Sequence, residues 1–262
     1  VFIIKVSNLL LLGLSLVFIN GCVTQQYIMG SDNKAKERYM DKREAAMARL
    51  KLALEYLQNG QTEQAKINLD RALKIDDKMD GIHASFAYFY QKVGEDEKAD
   101  ESYQEALSQF PDNANTRNNY GAFLCDKQRY KAADKQFLIA INTEENTALA
   151  NSYENAGLCA LRDENWHNAI GHFRKVLGYE RNRARSILGL ATSHLKLNQL
   201  EAASRFLRSY RQVFAQTAPS LWLAIQIEQK LGNTFLAEKL GQILQSNYPS
   251  SAETKLYKSG KA

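Results

Sequence analysis

Six alanines set the register of this chain. Ala65, Ala99, Ala133, Ala169, Ala203 and Ala237 stand 34, 34, 36, 34 and 34 residues apart. Four positions after each alanine come Leu69, Tyr103, Phe137, Phe173 and Leu207, with Gly241 at the sixth. Seven positions after lie Ala72, Ala106, Ala140, Val176, Tyr210 and Leu244, and thirteen before lie Leu52, Phe86, Tyr120, Ala156, Leu190 and Ala224. A period of this length means one supersecondary unit copied along the chain. The small residues let two helices cross closely, and the larger ones fill the space beside them. One copy cannot bury its own apolar face, so the copies must stack to make a core.

The units are helical. Ala, Leu, Gln, Lys and Glu dominate the 262 residues, and all are good helix formers. Long alternating runs of Val, Ile and Thr, the signature of strands, are missing. The three prolines are Pro111, Pro219 and Pro249, and Pro111 and Pro249 stand where a second helix of a unit should stop. Asn59-Gly60, Gly94-Glu95-Asp96 and Gly232-Asn233 mark turns between paired helices. A two-residue insertion near Asn142–Asn146 accounts for the one longer spacing.

A 34-residue helix–turn–helix unit with this pattern resembles the tetratricopeptide repeat. The resemblance implies an all-α, right-handed superhelical solenoid of six repeats, 46–79, 80–113, 114–149, 150–183, 184–217 and 218–251, within a domain spanning 34–262. Residues 34–45 read as a tether helix or an extension of the first repeat. The poorer fit of the sixth repeat suits a terminal cap.

The amino terminus has a different composition. Lys5 is its one charge, and Val6–Ile19 is almost wholly apolar. A charged start, a short apolar core and a small residue before a cut mark a secretory signal. The segment ends Ile19-Asn20-Gly21-Cys22, which resembles the lipobox of bacterial lipoproteins. That resemblance implies a signal peptide over 1–21, lipidation of Cys22 and a polar lipidated linker over 22–33. Several acyl chains on one cysteine give stable anchoring where one would be marginal. Val23 in place of aspartate implies sorting to the outer membrane, with the chain facing the periplasm.

A catalytic constellation is hard to assemble from these residues. His83 and His194 fall on packing positions of first helices. His167 and His172 are five apart, the wrong spacing for a zinc pair on one helix face. No Gly-rich phosphate loop follows a strand, and no serine sits in a nucleophile elbow. The sequence points away from an enzyme, with no metal, cofactor or small-molecule substrate. The net charge of +5 arises from 34 basic and 29 acidic residues that are largely interspersed, which gives no footprint for nucleic acid. The run Arg181-Asn182-Arg183-Ala184-Arg185 reads as a solvated helix end or loop.

Cys125 and Cys159 fall at positions 12 and 10 of the first helices of repeats three and four. Neighbouring first helices run side by side, so these cysteines either form a cross-repeat disulfide or pack as two buried thiols.

In the repeat architecture, positions 2, 5, 9, 12 and 13 of each first helix line a concave groove. Repeat one presents Met47, Leu50, Leu54 and Leu57 there, and Tyr88 follows in repeat two. A row of apolar residues on an open groove marks an interaction site, unless residues 34–45 fold over it. Further along the groove turns polar, with Asn115, Asn118, Asn151 and Glu154. Asparagine suits recognition of extended backbone, because it donates and accepts. Charge is segregated along the solenoid. Repeat two holds eight acids against two lysines, and repeat five holds five basic residues against Glu201.

Repeat three reads Asn118-Asn119-Tyr120-Gly121-Ala122-Phe123-Leu124-Cys125, with Ala132-Ala133 and Phe137 behind it. Repeat four carries Asn155-Ala156-Gly157-Leu158-Cys159. These stretches, after a lipobox, resemble the type IV pilus biogenesis and stability lipoprotein family, PilF/PilW. The resemblance implies a pilotin. Its groove would bind pilus secretin subunits, and its anchor would hold them at the outer membrane while they multimerise. A lipoprotein scaffold for cell-wall enzymes or for outer-membrane protein assembly would use the same fold and anchor.

Overall fold

The computed structural model describes residues 42–260. Thirteen helices and no strand lie among the described residues. Six pairs follow one another: α1 (Lys42–Gln58) with α2 (Thr62–Ile75), α3 (Ile82–Val93) with α4 (Asp96–Gln109), and α5 (Ala114–Asp126) with α6 (Tyr130–Asn142). Then come α7 (Leu149–Arg162) with α8 (Trp166–Tyr179), α9 (Ala184–Lys196) with α10 (Leu200–Val213), and α11 (Ala218–Lys230) with α12 (Thr234–Asn247). A short α13 (Ala252–Lys258) closes the series. Each helix packs on its partner and on the next pair, which builds a right-handed superhelical solenoid. The signal segment, Cys22, the linker and residues 34–41 lie outside the described residues.

The periodic residues form the core. All six phase-setting alanines are buried, as are Leu69, Tyr103, Phe137, Phe173 and Leu207 four positions on. A residue at each turn between paired helices takes a left-handed backbone, with φ between 55° and 82°. Glycine supplies it at Gly60, Gly94 and Gly232, but Gln128, Glu164 and Asn198 adopt it in the middle repeats. Tertiary packing on both sides holds those three turns where local preference would not.

Close approach between helices explains the sixth repeat. Phe173 lies between Gly157 of its own pair and Gly189 of the next. A Cβ on Gly189 would come within 2.3 Å of its ring. At the end of the chain the sizes are exchanged. Gly241 stands at the Phe173 position, and Tyr257, in register with Gly189, fills the space, 2.0 Å from where a Cβ on Gly241 would sit. So α13 is a shortened seventh first helix, and it supplies the bulk that repeat six lacks.

Polar contacts also join repeats. Asp100 accepts from the Tyr120 hydroxyl at 2.8 Å and from Arg129 Nη1 at 2.9 Å. Burial, then that hydrogen bond, raises the Tyr120 hydroxyl above its usual range. Lys127 pairs with Asp96, and Asn113 donates to Asp80. Five acids of repeat two therefore have local partners, because Glu95 pairs with Lys98 and Glu105 accepts from Gln109. The acidic surface is smaller than the residue count implies.

Candidate functional site

The groove has two different ends. In α1, Met47 is 53% exposed, and Leu50 and Leu54 are half-buried. Tyr88 on α3 is also half-buried, and the Lys92 ammonium lies 5.3 Å from its ring centre. Leu57 differs from the expectation. It is buried in the cluster that holds Ala53, Leu69 and Phe86, so it belongs to the core of the first two repeats. Position 12 is a core position here, and sequence position alone does not separate that from the groove. Residues 42–45 of the lead-in extend α1 and do not fold back over Met47.

The middle of the groove is cross-linked. Cys125 and Cys159 form a disulfide, with Cα atoms 5.8 Å apart, which replaces the two-thiol alternative. On the same helix pair, Asn155 Nδ2 donates to Asn118 Oδ1 at 3.1 Å, and Arg162 pairs with Asp126. Three contacts thus tie α5 to α7. Asn118 has its amide engaged on both sides, since it also donates to Asn119 at 3.3 Å.

Glu154 is the largest departure from the sequence reading. It is 4% exposed and serves as an internal hub, where the expectation was a groove contact. The Ser186 hydroxyl donates to it at 2.9 Å, and Arg183 and Arg185 approach it at 3.6 and 3.7 Å. Arg183 also donates to Asn151 Oδ1. The basic run before α9 is therefore only partly a solvated helix end, because two of its arginines neutralise a carboxylate on α7. The clue lay in pairing that run with the acid one repeat earlier, which linear spacing does not display. Asn151 and Glu154 together lock α7 to α9.

Asn115 is exposed at a cavity of about 420 Å³ between repeats, lined also by Asp80, Pro111, Asn113 and Asn146. The insertion after α6 forms one wall, where Asn146 Nδ2 donates to Ala140 O at 2.7 Å.

Among the histidines, His194 is buried. Its Nδ1 meets Gln199 Oε1 at 2.6 Å, and its ring stacks on Phe206. Burial lowers the His172 pKa below its usual range. Among the described residues, no group of three His, Cys, Asp or Glu is placed to hold a metal ion. No helix there is long and apolar enough to cross a membrane. The arrangement offers recognition surfaces: an apolar row at one end and a cross-linked polar wall in the middle.

This geometry defines a tetratricopeptide-repeat protein, and the tetratricopeptide repeat family matches residues 46–79 and 81–113. The type IV pilus assembly protein PilF of Pseudomonas aeruginosa is 34% identical over 238 residues, covering 90% of this chain and 92% of that one. The solved structure of pilF from Pseudomonas aeruginosa superposes with a TM-score of 0.73 at 33% identity, covering 84% of this chain and 99% of that one. The crystal structure of PilW, a widely conserved type IV pilus biogenesis factor, gives 0.74 at 28% identity, with 81% and 97% covered. The chain belongs to the PilF/PilW family of type IV pilus biogenesis proteins.

Proposed function

We propose that this chain is a pilotin: a lipid-anchored adaptor that binds pilus secretin subunits and promotes their outer-membrane localisation and multimerisation. The partly exposed apolar row of Met47, Leu50 and Leu54, beside Tyr88, carries the reading. Apolar side chains left partly exposed among the described residues cost free energy, and a partner that covers them removes that cost. Family membership supports a role in pilus biogenesis. The disulfide between Cys125 and Cys159 suits the oxidising periplasm. In this reading Cys22 supplies location and the groove supplies affinity. Tethering both on one chain raises effective concentration without new contacts.

The test is paired polar substitution. Leu50→Gln with Leu54→Gln should weaken binding of the secretin's periplasmic region about tenfold or more, from lost apolar burial. The melting temperature should stay within a few degrees of the parent (roughly 1 kcal/mol). Unchanged binding would remove the groove from the reading, and a collapse in melting temperature would assign both leucines to the core. Leu57→Gln is the control that should unfold the first repeats.

A further inference from the structure

The outward face of α12 breaks the pattern of the other second helices. Phe235, Leu236 and Ile243 stand where repeat five has Glu201, Ala202 and Ser209, repeat four has His167, Asn168 and Lys175, repeat three has Lys131, Ala132 and Ile139, and repeat two has Glu97, Lys98 and Glu105, so Ile243 has one apolar counterpart and Phe235 none. Phe235 is 74% exposed, Leu236 42% and Ile243 38%, and Leu231 in the preceding turn is 38% exposed. Helical spacing puts residues 235, 236, 239 and 243 on one side. The Lys239 ammonium lies 5.5 Å from the centre of the Phe235 ring. Lys239 makes no ion pair among the described residues. Within repeat six Glu228 and Glu238 balance Lys230 and Lys239, and the positive excess of Ala184–Gly260, nine basic residues against four acids, lies in repeat five and at Lys255 and Lys258 on either side of it.

We propose that this face seats on an anionic phospholipid surface. The Phe235 ring, Leu236 and Ile243 would enter the boundary between headgroups and acyl chains. Lys239 would reach the phosphates with its aliphatic stem along the apolar layer. The lipid surface offers both complements at fixed depths, acyl chains beneath and negative charge above. The contact is separate from the apolar groove, which lies in repeats one and two, and it holds whether or not the groove binds a secretin. With a lipid on Cys22, it would give the solenoid a second attachment through its last repeat.

The experiment places an indole at the site. Phe235→Trp in the full chain is mixed with vesicles of phosphatidylethanolamine and phosphatidylglycerol (3:1) with brominated acyl chains. Its emission is read as a difference from the parent, which cancels Trp166 and Trp222. Tyr179→Trp, on the exposed end of α8, is the control that reports binding through any other part of the chain. Quenching and a blue shift for Phe235→Trp alone, reduced severalfold by Lys239→Glu or by phosphatidylcholine vesicles, is the expected result. An indole that stays in water while the chain binds vesicles would overturn the proposal. Equal quenching in phosphatidylcholine vesicles would overturn the anionic specification. A concentration-dependent blue shift without vesicles, or one produced only by the secretin's periplasmic region, would assign the patch to a protein partner and overturn it as well.

Discussion

Replacing Cys125 and Cys159 together by serine lowers the stability of the solenoid by about 4 kcal/mol, the loss expected for opening a loop of this length. The bond joins first helices of consecutive repeats across 34 residues. A repeat array has stability close to a sum of units and nearest-neighbour interfaces, so a weakened junction also weakens cooperativity. Urea unfolding of the double variant should show a lower midpoint and a broader transition. Thiol reduction of the parent should reproduce the shift. A midpoint and slope unchanged by both treatments would mean that the junction is held by Asn118–Asn155, Asp126–Arg162 and apolar packing alone.

The second large effect centres on Glu154. Glu154→Ala should cost about 2 kcal/mol, because it leaves Ser186 without its acceptor and takes one carboxylate from Arg183, which keeps Glu180 at 2.8 Å and Asn151. Most of that cost belongs to the groups left behind and not to the pair itself. Arg185 is exposed and contributes little. Glu154→Gln keeps the acceptor for Ser186 and removes the charge, so it should lose roughly half as much. Denaturant midpoints of the two variants test this directly. Equal losses would show that charge, and not the hydrogen bond, governs the hub.

The repeat was legible because close helix crossings tolerate few residue types. Six alanines in phase, with bulky residues four positions on, leave little freedom for another fold. The inserted turn after α6 showed itself as the one longer spacing. Gly241 was legible only as a misfit, because its explanation is Tyr257 sixteen residues later, in a helix too short to look like a repeat. The groove was half legible. Repeat position marked Met47, Leu50 and Leu54, yet the same rule placed Leu57 and Glu154 in the open. Leu57 belongs to a core shared by the first two repeats. Glu154 is covered because arginines entering the next repeat reach back to it. Both outcomes depend on neighbours one repeat away, which a single helix does not encode. The apolar outer face of α12 was present in the sequence too, but it appears only when equivalent positions of different repeats are compared.

The most direct test of the pilotin reading is the state of the pilus secretin in cells that lack this protein, followed on a gel run without full denaturation. The account predicts that the stable multimer disappears and secretin monomer remains. Multimers persisting in the outer membrane at normal amounts would contradict it.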